Sequence, residues 1–270
     1  MDLFQRCGKK IERAAEHLNA LQMAAQWFAE EHGNAGVRVT VQPNSQGTKC
    51  LVKVAETPAF PEVEWGIVIG DAVHCLRSAL DQMVSGLCTE PSGRTAFPIC
   101  RTEKDWIIDA PGHLWSIPPR FVALIDEAQP YHRGDKAHMH PLAVLNELWN
   151  LDKHRAIPSS ALVPNRVAIA VDESKTIGLA SWSAFRTYPG RLLKEGTVIA
   201  DCRYTVDSGA TKAEMHVQAH LSVDVGFGKI ERAASVNGKP VGETFKNVLI
   251  PAVFDVVVAA KRAQGDPPAA

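Results

Sequence analysis

The stretch from Ala24 to Glu56, AAQWFAEEHGNAGVRVTVQPNSQGTKCLVKVAE, changes its hydrophobic period halfway along. Before His32, apolar residues recur at spacings of three and four. Leu3, Cys7, Ile11, Ala14, Leu18, Leu21, Ala25 and Phe28 form one stripe, which predicts a long helix over 2–32, with Gly33 and Asn34 ending it. After Gly36 the period is two. Val37, Val39 and Val41 alternate with polar residues, PNSQG reads as a turn, and Leu51–Val54 returns as a second strand. A helix followed at once by a β-hairpin sets the class, and the rest of the chain extends it.

Downstream, residues 61–88 read as a second long helix, with Pro61 in its first turn. Residues 89–117 show no clear period, apart from TAFPIC as an extended piece. A short helix lies in PPRFVALIDEAQPY, and another spans about 140–155. NRVAIAVDE, TIGLASW, GTVIADCRYTV and AEMHVQAHLSVDVGFG then read as strands. A final apolar helix covers 241–262, with a kink expected at Pro251. Helices and strands are segregated, which predicts an α+β fold. The expected organisation is a single domain over 1–262. It has a helical core over 1–157, an N-terminal β-hairpin, a β-rich part over 158–240, the C-terminal helix and a disordered tail over 263–270.

Bulk properties narrow the function. The chain has 270 residues, 46% hydrophobic and 22% charged, which is enough for a substantial core. A net charge of -1 removes any strong global attraction to nucleic acid or anionic lipid and leaves room for a local basic patch. Six cysteines without a CxxC pair exclude zinc-ribbon and thioredoxin chemistry. The N-terminus does not read as a signal peptide, and no apolar run reaches about 18 residues. The expectation is a cytoplasmic protein with reduced thiols and no membrane partner.

Within the second helix, GDAVHCLRSALDQMV (Gly70–Val84) places Asp71, His74, Arg77, Ser78 and Asp81 in one sector and Val73, Leu76, Leu80 and Met83 in the other. Positions 66–88 hold no Lys or Glu, so this polar face is built from short groups and one arginine. Short polar groups suit pairing across a helix interface. An interhelical polar network, a solvated face and a chemical site are all open readings. LNELWNLDKHR (Leu145–Arg155) offers partners: Asn146, Asn150 and His154 form one row, with Lys153 beside it. Asp152 and Arg155, three apart, read as an ion pair closing the helix end, and Lys153, His154 and Arg155 suit the C-terminal dipole. If the two helices face each other, Arg77, His74, His154 and Asp81 are candidates for acid–base work or for holding a phosphate. Asp71, Asn146, Asn150, Asp152, Lys153 and Arg155 are candidates for binding. A divalent metal held by the His and carboxylate groups is a further reading, and no cofactor is expected.

GDAVHCLRSALDQMV, FPI (97–99), QPY (129–131) and LNELWNLDKHR occur in that order. In this the chain resembles an uncharacterised bacterial and phage family whose long helix reads GDxxHNLRSALDHL and whose later helix ends in DKHR. The resemblance covers about residues 10–160. More loosely, the chain resembles HEPN-type helical domains, often RNases or nucleotide-binding modules, marked by an Arg and a His four to six residues later. That resemblance implies RNA as partner, a homodimer, and Arg77 polarising a phosphate. Gln82 stands where the related proteins often have His, so His74 or His154 would have to supply the imidazole. The alternative is a non-catalytic interaction protein, or one binding a small ligand, whose polar row fixes helix register.

Three other features read as incidental. His132, His138 and His140 in HRGDKAHMH read as surface histidines of a loop, and His216 and His220 as decoration on one strand face. GFGKIERAAS (226–235) lacks both GxGxxG and GK[ST], so it is not expected to bind phosphate as a glycine loop.

Overall fold

The computed structural model describes residues 2–33, 36–44, 49–210 and 213–265. The fold is α+β. Helix α1 (Leu3–Glu31) opens with a capping box: Asp2 accepts from the Gln5 amide at 2.8 Å, and the Gln5 side chain accepts from the Asp2 amide at 3.0 Å. Its stripe from Cys7 to Phe28 is buried against α2 (Glu62–Leu87). Each large side chain sealed there contributes about 1.5–3 kcal/mol.

Strands β1 (Arg38–Pro43) and β2 (Lys49–Glu56) pair antiparallel; most of the turn between them lies outside the described residues. The pair is not a separate hairpin. β2 also pairs with β6 (Val198–Val206), whose other edge carries β4 (Leu179–Trp182) and β5 (Arg186–Thr187). The sheet therefore draws on residues 38–56 and 179–206 together. A second antiparallel ribbon joins β3 (Ser159–Val171) to β7 (Val217–Phe227) and packs on α1 and α2.

The aperiodic region holds a helix that the sequence reading lacks, α3 (Glu103–His113), capped by the Thr102 hydroxyl at 3.1 Å from the Asp105 amide. Its Ile107 and Ile108 face outward and Ala110 alone is buried, so it has no apolar stripe to betray it. Helix α4 (Pro119–Glu127) leads into a 3-10 segment over Pro130–Met139, so His132 and His138 lie on a helical turn and not in an irregular loop. Helix α5 (Pro141–Asp152) is shorter than expected at its end. The C-terminal helix consists of α6 (Val241–Thr244), a π turn over Phe245–Leu249 and α7 (Ile250–Gly265). Pro251 has no amide hydrogen and its ring crowds the carbonyl four residues back; the wide turn just before it accommodates both. Ala263–Gly265 belong to α7, and the rest of the expected tail lies outside the described residues. No helix of the described residues is long and apolar enough to cross a membrane.

Candidate functional site

The polar face of α2 and the end of α5 do meet, but the structure distributes their groups over three places. The first is a clamp around residues 97–100. Arg77 is buried and donates from Nη2 to the Phe97 carbonyl at 2.6 Å. It also contacts Asp81, with Nε 3.2 Å from Oδ2 and Nη2 3.0 Å from Oδ1. Asp81 in turn accepts from the Phe97 amide at 2.9 Å. One residue pair on one helix turn thus satisfies both backbone groups of Phe97. Gln129, also buried, does the same for the next positions: its carbonyl accepts from the Cys100 amide at 2.9 Å, and its amide donates to Pro98 at 3.0 Å and to Ile125 at 2.9 Å. Residues 97–100 belong to no helix or strand, and side chains take up backbone groups that a ladder would otherwise satisfy. LRSALD, FPI and QPY converge here.

The guanidinium of Arg77 also lies 4.9 Å from the Trp149 ring, and the Lys153 ammonium lies 3.1 Å from the same ring. Burial pulls the Arg77 pKa down, and Asp81 opposes the shift. Lys153 is pulled down by desolvation and by Arg77, again opposed by Asp81.

The second place is a close contact of two glycines of α2 with the last residue of α5 and the chain just after it. A Cβ on Gly70 would sit 1.9 Å from Asp152 Oδ1, and one on Gly66 would sit 2.4 Å from the Ile157 carbonyl oxygen. The segment leaving α5 therefore lies directly on the α2 backbone. Desolvation and the neighbouring Asp71 raise the Asp152 pKa, and His74 opposes them. Asp71 and His74 are exposed. No ion pair joins Asp152 to Arg155 among the described residues; Asp152 turns to α2 and Arg155 turns away. His74, Asp81 and Asn150 are not a mutually hydrogen-bonded buried set. His74 faces solvent, and Asp81 is engaged by Arg77 and Phe97.

The third place is a cleft of about 890 Å³ beyond the other side of α5. Glu147, Asn150, His154 and Arg155 line one wall, and Lys229 and Arg232, with Glu231, line the other. The second wall is the loop after β7, within the GFGKIERAAS segment. It is placed by Gly228, whose amide donates to the Pro158 carbonyl at 2.7 Å and where a Cβ would meet Pro158 Cβ at 2.8 Å. Ile230 is buried, and its amide donates to the Asn237 side chain at 2.8 Å, so Lys229 and Glu231 flank a fixed point. Glu147 is held by Arg101 at 2.5 Å. That leaves Arg155, Lys229 and Arg232 as exposed cations of the lining, with Glu231 as its other carboxylate. The sequence reading has Asn150, His154 and Arg155 but misses Lys229 and Arg232. They sit more than seventy residues away, and only the paired β3–β7 ribbon carries them back.

Asn146 lies on α5, half-buried, outside the residues lining the cleft. His140 caps α5: its Nδ1 accepts from the Leu142 amide at 3.2 Å, and burial, with Arg133 nearby, pushes its pKa down to about 4. Among the described residues, no three His, Cys, Asp or Glu side chains come together to hold a metal ion. Comparison with protein-family models, curated proteins and solved structures found no match.

Proposed function

We propose that the protein binds a phosphate-bearing ligand, a short RNA segment or a nucleotide, in the cleft between the end of α5 and the loop after β7, and that Arg77 and Asp81 act as a structural clamp on Phe97 and not as part of that site. One observation carries the reading: three cations, Arg155, Lys229 and Arg232, line one cleft against two carboxylates, Glu231 and Glu147, and Glu147 is already held by Arg101. Guanidinium groups match phosphate oxygens in pairs, and Asn150 and His154 add further donors. The volume lies in the range of small-ligand pockets. On this reading Arg77 does not touch the ligand: Nε and Nη2 serve Asp81 and the Phe97 carbonyl, Nη1 is buried without a partner, and Arg77 is not among the residues lining the cleft.

Fluorescence anisotropy with a labelled single-stranded RNA oligonucleotide, and calorimetry with a nucleoside triphosphate, test it. Arg155→Ala, Lys229→Ala and Arg232→Ala should each weaken binding. Three phosphate contacts would give a salt slope of about -2 for a single strand. Binding that ignores all three substitutions sinks the proposal. A second reading, RNA cleavage, rests on His154, the one imidazole in the cleft. It requires strand scission that His154→Ala abolishes.

A further inference from the structure

Away from the cleft, three sulfurs meet where β2 and β6 pair. Cys50 and Cys202 are directly opposite across the two strands, and both side chains are buried. As a directly opposed cross-strand pair, their side chains project from the same face of the sheet. Met215, just before β7, brings its thioether to 3.9 Å from Cys202 Sγ. These three residues form a small buried cluster separate from the main core. Both cysteines are free. A cleft of about 540 Å³, lined by Cys50 and Met215 together with Tyr204 and His216, leads to the group.

We infer that Cys50, Cys202 and Met215 form a binding site for a soft monovalent metal ion, Cu(I). Around an ion at a metal–sulfur distance of about 2.3 Å, three sulfurs in a trigonal plane stand about 4 Å apart. The Cys202–Met215 separation of 3.9 Å already matches. Two thiolates and a thioether are the donor set that favours Cu(I) over harder divalent ions. Zinc prefers four tetrahedral N, S or O ligands, and no third His, Cys, Asp or Glu joins this pair among the described residues. Register adds rigidity. The two cysteines are fixed by a strand pair, so little ordering remains to be done on binding. Without an ion both thiols stay protonated, since burial raises their pKa values, that of Cys202 to about 11. Each thiol that ligates passes its proton to solvent, and copper does not change oxidation state. Acid should therefore release the ion.

The test is an anaerobic titration of the full, reduced chain against a chromogenic Cu(I) chelator, followed by X-ray absorption on the loaded protein. The expected result is one equivalent withdrawn from the chelator and a first shell of sulfur alone. Cys50→Ser and Cys202→Ser should lose the uptake, and Met215→Leu should shift the competition toward the chelator. Cys88→Ser, on the half-exposed end of α2, should behave as wild type. Circular dichroism checks that each variant is folded. Should a cysteine variant fail to fold, the wild-type absorption spectrum and Met215→Leu decide. No uptake by the reduced wild type, uptake unchanged in Cys202→Ser and Met215→Leu, or a shell containing nitrogen or oxygen overturns the inference.

Discussion

Helix α5 separates two sets of charges that are treated in opposite ways. On the side facing α2, Arg77 is buried and spends Nε and Nη2 on Asp81 and the Phe97 carbonyl, with Trp149 and Lys153 packed over it. On the side facing the loop after β7, Arg155, Lys229 and Arg232 stay exposed around an open cleft. The guanidinium chemistry is the same on both sides, and burial decides its use. Two nitrogens of the dry arginine are matched in place, because a buried group left unpaired costs more than its pairing adds, and the third, Nη1, is sealed in without a partner. A wet arginine can wait for a partner from solution.

The largest effect should come from the buried side. Arg77→Ala leaves Asp81 and the Phe97 carbonyl without their partner and should cost about 3–5 kcal/mol. Denaturant titration measures it through the unfolding midpoint. A loss below about 1 kcal/mol would erase the distinction between the two sides. Gln129→Leu follows. It strands the Cys100 amide and the Pro98 and Ile125 carbonyls, and about 3 kcal/mol is expected from groups that each cost about 1–3 when left dry. If that variant is as stable as wild type, the segment at 97–100 is not held by side chains.

The two sides also differ in how well they can be read from sequence. The stripe of α1 and the alternation of β1 are local and visible, because each element buries one face. Arg77, Asp81, Phe97 and Gln129 each stand out in a motif, yet nothing local says that two side chains will replace a strand ladder. Composition does hint at it: a polar helix face without Lys or Glu is a face meant for pairing. Gly66 and Gly70 are legible only in hindsight, four apart on α2 where the segment after α5 lies against the backbone. Lys229 and Arg232 carry no local signal at all. GFGKIERAAS lacks a phosphate-loop pattern, and its place in the cleft depends on long-range strand pairing. Helix α3 is hidden for another reason: it buries almost nothing, so period analysis has no stripe to find.

His140 sharpens the comparison through pH. It sits at the start of α5, where its neutral Nδ1 accepts from Leu142, and its pKa is pushed down from 6.5 to about 4. The unfolded chain therefore binds a proton that the folded chain refuses between those values. The stability contributed by neutral His140 is complete above pH 6.5 and is lost as pH falls toward 4. By pH 5 the loss should reach about 2 kcal/mol relative to neutral pH. His140→Asn keeps a capping side chain and removes the titration. Its stability should then lack this step between pH 7 and 5, as read by urea midpoints. An unchanged step would place the titrating group elsewhere.

The smallest effect on stability should come from the open side, and there its smallness is the point. Arg155→Ala and Lys229→Ala remove exposed cations that hold no buried group, so each should move the unfolding free energy by less than about 0.5 kcal/mol. Removing like charges from one cleft relieves their mutual repulsion, and slight stabilisation is an acceptable outcome. Anisotropy on the same two variants should show weakened RNA binding at low salt, with a shallower salt dependence as each phosphate contact is lost. A variant that unfolds would show that the cleft wall is structural, as the Arg77 side is. A variant that keeps both its stability and its RNA affinity would leave the cleft without a role in binding RNA. Loss of affinity at constant stability is the one outcome that separates the two sides of α5 by function as well as by burial.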